Sequence, residues 1–181
     1  MQEVIMAGFG GQGVMSMGQL LTYAGMIEGK AVSWMPSYGP EMRGGTANCT
    51  VVITEEEQVG SPVVSNPDTV IAMNYPSVEK FRDAIKEGGA LLYNSSLIEE
   101  EVSADHADVY AVPANKIAND LGNSRIANMV MLGAFLELSG VVTIDNVLES
   151  LKKVLPERRH NLIPLNEEAL RKGAEIVKKS K

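Results

Sequence analysis

The sequence has few of the residue types that build metal centres or disulfides. It contains one cysteine, Cys49, and two histidines among its 181 residues. A disulfide needs two cysteines and a cysteine-based zinc or iron–sulfur site needs several, so the chain can form none of these alone. Cys49 lies in a predicted strand, which favours an ordinary buried thiol. His106 and His160 lack ligand-spaced partners and favour surface or capping roles, so we predict that this chain binds no metal.

Long apolar runs and dense basic clusters are missing as well. No stretch approaches the roughly 20 apolar residues that a membrane helix needs, and no basic region follows Met1. The net charge is -7, from 16 lysines and arginines against 23 acidic residues, which disfavours nucleic acid as the main partner. These absences predict a cytoplasmic chain without a signal peptide, a membrane span or a nucleic-acid partner.

The remaining composition is typical of a globular protein. The apolar fraction is 45% and the charged fraction is 22%, close to the averages of soluble domains. A chain of this length can bury a hydrophobic core without metals or disulfides. Because no internal repeat or linker-like stretch divides it, we expect a single domain over residues 1–181.

Short apolar runs alternate with helical patterns through the first part of the chain, and helices alone follow. This order predicts an α/β fold: a single Rossmann-like domain with a mostly parallel sheet flanked by helices, and a helical C-terminal third. The predicted strands cover 4–7, 31–34, 47–54, 69–73, 90–93 and 109–112. The predicted helices cover 14–27, 76–86, 114–121 and 126–138, followed by one that Thr143 caps and one that Asn166 caps.

A glycine-rich turn, Gly8-Phe9-Gly10-Gly11-Gln12-Gly13, joins the first predicted strand to the first predicted helix. It fits the G-x-G-x-x-G pattern, whose glycines permit a tight turn, close backbone approach to a phosphate and helix packing. The helix N-terminus adds free N–H groups and the positive end of a dipole. A phosphate site, a contact with a partner chain and a purely structural turn all stay open. The candidate site residues of this turn are Gly8, Gly10, Gly11, Gln12 and Gly13.

Two familiar nucleotide sites are disfavoured at this turn. Dinucleotide binding also needs an acidic residue at the end of the second strand, and Trp34-Met35-Pro36 occupies that place. Glu28, the nearest acid, falls in the turn that ends the first helix. A Walker A loop is excluded because no Lys-Ser or Lys-Thr follows the glycines.

The segment from Pro36 to Gly45 is predicted to be a long functional loop, because it holds three glycines and two prolines. Arg43 could hold an anion with its five donors, and the glycines after it allow close approach. A salt bridge from Arg43 to Glu41 or to a partner is equally open, as is a solvated insertion. The candidate site residues here are Tyr38, Gly39, Pro40, Glu41, Arg43, Gly44 and Gly45.

The two motifs together resemble a known family. The turn at 8–13, followed by Ser37-Tyr38-Gly39-Pro40-Glu41-Met42-Arg43-Gly44-Gly45, is similar to the gamma subunit of the 2-oxoacid:ferredoxin oxidoreductases. Pro67-Asp68, Ala72-Met73-Asn74 and the stretches 114–118 and 128–134 extend the similarity over nearly the whole chain. The form of the motifs resembles the 2-oxoglutarate or branched-chain (2-ketoisovalerate) branch more than the pyruvate branch.

The resemblance implies a function within an assembly. Such an enzyme oxidatively decarboxylates a 2-oxoacid, transfers the acyl group to coenzyme A and reduces ferredoxin. The resemblance implies that thiamine diphosphate, Mg²⁺ and [4Fe-4S] clusters are held by partner subunits, and that this chain alone binds no cofactor and is inactive. The implied partners are alpha, beta and ferredoxin-like delta subunits, with ferredoxin as acceptor.

Within that assembly, both glycine-rich segments are expected to face the catalytic subunits or the phosphates of coenzyme A. Several alternatives stay open beside this function. They are a subunit of an indolepyruvate ferredoxin oxidoreductase, a standalone nucleotide-binding oxidoreductase, and a scaffold without catalytic function. A homodimer of the isolated chain is a further alternative for its oligomeric state.

Overall fold

The computed structural model describes residues 1–38, 46–59 and 61–180, which contain six strands and six α-helices. The strands are β1 (Gln2–Phe9), β2 (Ala31–Tyr38), β3 (Thr46–Thr54), β4 (Thr69–Ala72), β5 (Gly89–Asn94) and β6 (Ala107–Val112). The helices are α1 (Val14–Ile27), α2 (Tyr75–Phe81), α3 (Ala114–Asp120), α4 (Ala127–Ser139), α5 (Ile144–Val154) and α6 (Ile163–Ser180). None of the described helices is both long enough and apolar enough to cross a membrane.

The strands form one sheet in the order β2-β3-β1-β4-β5-β6. β1, β4, β5 and β6 are parallel neighbours, whereas β3 is antiparallel to both β1 and β2. β2 therefore runs in the same direction as β1, and β3 alone among the described strands is reversed. The predicted α/β fold with a mostly parallel sheet is confirmed.

Helices cover the sheet on both faces, and the strand side chains alternate between two cores. Val4 and Met6 of β1 belong to the larger core, with residues of α1, α3, α4, α5 and α6. Ile5 and Ala7 belong to the smaller core, with residues of α2. Burial on both faces explains why β1 and β4 are continuous apolar runs rather than alternating ones.

α4 is the central helix of the larger core. Residues 127–136 of α4 are all buried, as expected for a helix that is apolar on every side. α4 packs closely on α6 through two glycines: a Cβ at Gly133 would collide with the carbonyl of Leu170, and one at Gly173 with the carbonyl of Val130. The backbones of α4 and α6 therefore lie in direct contact, which holds the helical C-terminal third together.

Several predicted boundaries are wrong. β2 continues through Pro36 to Tyr38, so the segment predicted as a loop from Pro36 onward is strand for three residues. β2 is an edge strand, where a proline without an N–H is tolerated. α6 begins at Ile163, and Asn166 lies inside it, donating from Nδ2 to the Leu162 carbonyl at 2.8 Å instead of capping the helix. The cap at Thr143 is confirmed, since its Oγ1 accepts from Asn146 N at 3.3 Å.

Candidate functional site

The carboxyl ends of the parallel strands all lie at one edge of the sheet. At this edge the chain leaves β1 through the glycine-rich turn into α1 and then β2, on one side of β1. After β4 the chain continues through α2 to β5, which lies on the other side of β1 from β2. The neighbours β1 and β4 therefore flank the point at which the strand order reverses, where open α/β sheets commonly bind ligands.

Glycine is required at different positions of the turn for different physical reasons. A Cβ at Gly8 would lie 2.8 Å from Met73 Cβ on the neighbouring chain segment, so Gly8 permits close packing. Gly11 and Gly13 have φ of 95° and 77°, a region that glycine adopts without strain. A Cβ at Gly13 would also lie 2.5 Å from Asn128 Nδ2, whereas one at Gly11 would meet nothing within 4 Å. Gly10 and Gly11 are exposed at the tip of the turn.

Gln12 fixes the turn with its side chain. Its Oε1 accepts from Phe9 N at 2.6 Å, and its Nε2 donates to the Met73 carbonyl at 3.3 Å. The backbone of Gln12 also donates to the Phe9 carbonyl at 3.2 Å. Gln12 thus joins the turn to the residue that follows β4, a role that the glycine pattern alone does not indicate.

The N-terminus of α1 is open at the same place. Gly13 is its N-cap, and no side chain caps the helix. The first amides of a helix have no partner within it, so those of α1 stay available to an anion beside the positive end of the dipole. The Gly13 carbonyl is occupied, because it accepts from Met17 N at 3.0 Å and from Asn128 Nδ2 at 3.3 Å.

Asn74 adds a polar group that sequence reasoning missed. It follows β4 and is 5% exposed. Its Oδ1 accepts from Ser77 N at 3.0 Å and caps α2, while its Nδ2 is buried and has no partner among the described residues. A buried donor without an acceptor is costly. The signal was visible in part, since an asparagine before Tyr-Pro marks a helix cap, but the free Nδ2 depends on packing.

A second polar group lies further along the edge, after β5 and β6. Asn94 is fully buried, and its Nδ2 donates to Asn115 Oδ1 at 2.7 Å. Lys116 N donates to Ser96 Oγ at 3.0 Å. Asn115, Lys116 and Ser96 line a surface depression of about 560 Å³. The candidate site residues did not include them.

Tyr38 lies at the same edge as the glycine-rich turn. In the sheet register Gly8 pairs with Ala47, and Ala47 pairs with Tyr38, so the three residues form one row. Thr46, the first residue of β3, pairs with Phe9. Tyr38 is 69% exposed. The candidates Gly39, Pro40, Glu41, Arg43, Gly44 and Gly45 lie outside the described residues.

The strand order also bears on dinucleotide binding, which the sequence disfavours. β3 separates β1 from β2, which places the end of β2 two strand spacings from the glycine-rich turn, about 10 Å. Glu28 is at the opposite end of α1, as predicted, where its carboxylate accepts from Thr143 N at 2.8 Å and from Asn146 Nδ2 at 2.9 Å. Glu28 is therefore a structural link between α1 and α5.

The described part of the chain offers neither a metal-binding group of side chains nor a reactive thiol. Within it, no group of three His, Cys, Asp or Glu side chains could hold a metal ion. Cys49 is fully buried, as predicted, and burial raises the pKa of its thiol to about 11. A thiol of this kind stays protonated at neutral pH and is a poor nucleophile.

Comparison with known proteins identifies the family. The family model described as pyruvate ferredoxin/flavodoxin oxidoreductase matches residues 3–176. The chain belongs to this family. It is 42% identical over 181 residues to the ketoisovalerate oxidoreductase subunit VorA of Methanothermobacter thermautotrophicus, covering 98% of this chain. The chain spans about a third of that relative, 37% of its length.

Two solved structures share the fold. The gamma subunit of a keto/oxoacid ferredoxin oxidoreductase from Geobacter sulfurreducens superposes with a TM-score of 0.82 at 29% identity, over 99% of both chains. A 2-oxoglutarate:ferredoxin oxidoreductase from Magnetococcus marinus, with 2-oxoglutarate, coenzyme A and succinyl-CoA bound, superposes with a TM-score of 0.88 at 26% identity. That match covers 98% of this chain and 31% of the Magnetococcus chain. The resemblance to gamma subunits of this family is thus confirmed.

Proposed function

We propose that the chain works as the gamma component of an enzyme that oxidatively decarboxylates a 2-oxoacid, transfers the acyl group to coenzyme A and reduces ferredoxin. The match to a gamma subunit over 99% of both chains carries this proposal. Ketoisovalerate is the favoured 2-oxoacid, because VorA is 42% identical to this chain, whereas the 2-oxoglutarate synthase subunit KorC of the same organism is 35% identical. These relatives favour the proposal over the indolepyruvate alternative.

The chain's own contribution follows from what its residues can do. Its one cysteine is buried, so electron transfer through a cluster must use other chains. We assign thiamine diphosphate, Mg²⁺ and [4Fe-4S] clusters to alpha, beta and ferredoxin-like delta partners. This chain spans 37% of VorA and 31% of the Magnetococcus chain, which is consistent with a gamma unit that functions beside other units.

We place the contact with coenzyme A or the catalytic partner at the edge that holds the glycine-rich turn and Tyr38. Three features support this location: the open amides of α1, the exposed backbone of Gly10 and Gly11, and the unpartnered Nδ2 of Asn74. All three offer N–H donors, which suit the phosphates of coenzyme A. Arg43 would add a permanent cation to the same site.

Reconstitution tests the assignment as a whole. The purified chain should show no 2-oxoacid oxidation with a viologen acceptor, and activity should appear when alpha, beta and delta chains are added. Ketoisovalerate should give a higher kcat/KM than 2-oxoglutarate, pyruvate or indolepyruvate. Turnover by the pure chain alone would contradict the subunit assignment. Size-exclusion chromatography of the same sample would show whether the isolated chain is a homodimer.

Asn74→Asp tests the location of the site within the assembled enzyme. The substitution keeps the Oδ1 that caps α2 but replaces the Nδ2 donor with a negative oxygen. We expect the KM for coenzyme A to rise about tenfold with kcat little changed, the effect of a lost hydrogen bond to an anion. Asn66→Asp is the control for the added charge alone, because Asn66 is exposed, precedes β4 at the other edge of the sheet and donates to Ala84 O. An unchanged melting temperature of Asn74→Asp would show that the buried charge has not disturbed the fold.

Other results for Asn74→Asp have definite meanings. Weaker assembly with an unchanged KM for coenzyme A would favour a partner contact over a phosphate site. An unchanged KM and unchanged assembly would contradict both functions and leave the turn with a purely structural role.

A further inference from the structure

A concave pocket lies beneath the first turn of α1, between that helix and the C-terminal helices. Its volume is about 380 Å³, within the range of small-molecule sites. It is built by residues of α1, α4, α5 and α6, and by the two short 3-10 segments that precede α4 and α6. The function proposed above does not use its apolar lining or its arginines.

The floor of the pocket is apolar. Side chains from three helices supply it, including Leu20 of α1, Met129 of α4 and Leu151 of α5. Leu20, Met129 and Leu151 are each at most 3% exposed and belong to the larger core. The floor is therefore a rigid part of the domain and favours an aliphatic body in its occupant.

The rim of the pocket carries two arginines, Arg125 and Arg159, and the lining includes no aspartate or glutamate. Neither guanidinium makes an ion pair or hydrogen bond with any described residue. Arg82 and Arg171, by contrast, pair with carboxylates at 3.1 and 2.7 Å. On a chain of net charge -7, two free cations over an apolar floor form a distinct positive site.

The polar groups between floor and rim complete this chemistry. Ser16 lies in the first turn of α1, lines the pocket and is exposed. Asn123 is held by its own backbone contact, because its Oδ1 accepts from Arg125 N at 3.1 Å. That bond orders the backbone from which the Arg125 side chain projects. The Arg125 side chain itself is exposed beyond this fixed backbone.

We propose that this pocket binds a small organic anion with a short aliphatic body, such as a fatty or branched-chain carboxylate. The two guanidiniums would hold the carboxylate, and the leucine and methionine side chains would cover the aliphatic chain. The volume of about 380 Å³ favours a small molecule over a protein segment, which would need a longer groove. The pocket adjoins the first turn of α1 through Ser16, but the anion would be held here by the two guanidiniums and not by the amides of that turn. The proposal does not depend on the assembly.

Binding of hexanoate to the full chain tests the proposal. Titration followed by amide chemical shifts should saturate with a Kd on the order of 1 mM, a typical value for a ligand of this size. Hexanol and inorganic phosphate are the two comparison probes, since each has only half of the required chemistry. Both should bind at least about tenfold more weakly than hexanoate, and the shifts should centre on Leu20, Arg125 and Met129.

Charge variants identify the residues that hold the anion. Arg125→Gln and Arg159→Gln should each weaken hexanoate binding about fivefold to tenfold, without a change in melting temperature. Arg158→Gln is the matched control, because it removes the same charge from the adjacent residue, which does not line the pocket. It should leave the Kd within about twofold.

Several outcomes would overturn the proposal. Equal binding of hexanol and hexanoate would show an apolar cleft without anion recognition. Equal losses in Arg158→Gln and Arg159→Gln would show diffuse attraction by surface charge. Absence of saturable hexanoate binding, with weaker assembly of Arg125→Gln and Arg159→Gln, would assign the pocket to a partner chain instead.

Discussion

Gly13→Ala is the substitution that most directly tests the geometry of the glycine-rich turn. Gly13 has a φ of 77°, and an added Cβ would lie 2.5 Å from Asn128 Nδ2 and 3.0 Å from Asn128 Cβ. The positive φ costs an alanine about 1 kcal/mol. The crowding adds roughly 1–3 kcal/mol, because the Asn128 Cβ belongs to a buried helix that cannot move freely. We expect the free energy of unfolding to fall by about 2–4 kcal/mol.

Gly11→Ala is the control that isolates the crowding. Gly11 has a similar φ of 95°, but an added Cβ would meet nothing within 4 Å. It should therefore lose only about 1 kcal/mol, the cost of the backbone conformation. Urea unfolding followed by circular dichroism measures both variants, and the m value should match that of the wild type if the folded state is unchanged.

A double variant closes the test. In an Asn128→Ala background Nδ2 and Cγ are removed, but the Cβ of residue 128 stays 3.0 Å from the added Cβ. Gly13→Ala should therefore cost roughly 1–2 kcal/mol there, less than in the wild type and no less than Gly11→Ala. Asn128→Ala also loses the hydrogen bond from Nδ2 to the Gly13 carbonyl. The free energy of unfolding of the Asn128→Ala single variant measures that loss separately. Equal costs of Gly13→Ala in both backgrounds would refute the packing argument.

Three further predictions concern the core and its ion pairs. Gly133→Ala should destabilise the fold by about 1–3 kcal/mol more than Gly25→Ala in urea unfolding, because an added Cβ at Gly133 meets the backbone of α6 whereas one at Gly25 first meets a side chain; equal costs would contradict close helix packing. Cys49, whose pKa burial raises to about 11, should react with a thiol reagent at pH 8 only after denaturant is added; rapid labelling of the native chain would contradict its burial. Burial alone would raise the pKa of Glu28, but hydrogen bonds from α5 and Lys30 outweigh it and lower that pKa from 4.5. The stability that Glu28 contributes is then present above about pH 4.5 and lost as the pH falls through its folded-state pKa, so Glu28→Gln should flatten the acid side of the unfolding profile.

Local patterns in the sequence were sufficient for most elements of this fold. β1 and β4 are short apolar runs because both of their faces are buried, and such runs are visible without tertiary information. Thr143 caps α5 with its own hydroxyl, which needs only neighbouring residues. The turn between β1 and α1 was likewise visible, because its glycines are required by local backbone geometry.

Features that depend on distant residues were not visible in the same way. The insertion of β3 between β1 and β2 is set by the pairing of one strand with two others, for which the sequence has no local signal. Asn166-Glu167-Glu168 has the composition of a helix start, but Pro164 fits the first turn of α6 as well, and the helix begins three residues earlier. The free Nδ2 of Asn74 could not be predicted, because it follows from the packing around β4.

The position of β3 bears both on the disfavoured dinucleotide alternative and on the function proposed for this edge. A strand inserted beside β1 moves the end of β2 away from the glycine-rich turn, so an acid there could not reach a ribose bound at the turn. The same insertion places Tyr38 and Thr46, the two ends of the segment that contains Arg43, in the rows of Gly8 and Phe9. Tyr38, where the second motif begins, therefore lies at the same edge of the sheet as the glycine-rich turn. The open amides at the start of α1 and the exposed Tyr38 at this edge support the contact with a phosphate group or a partner chain that is proposed above.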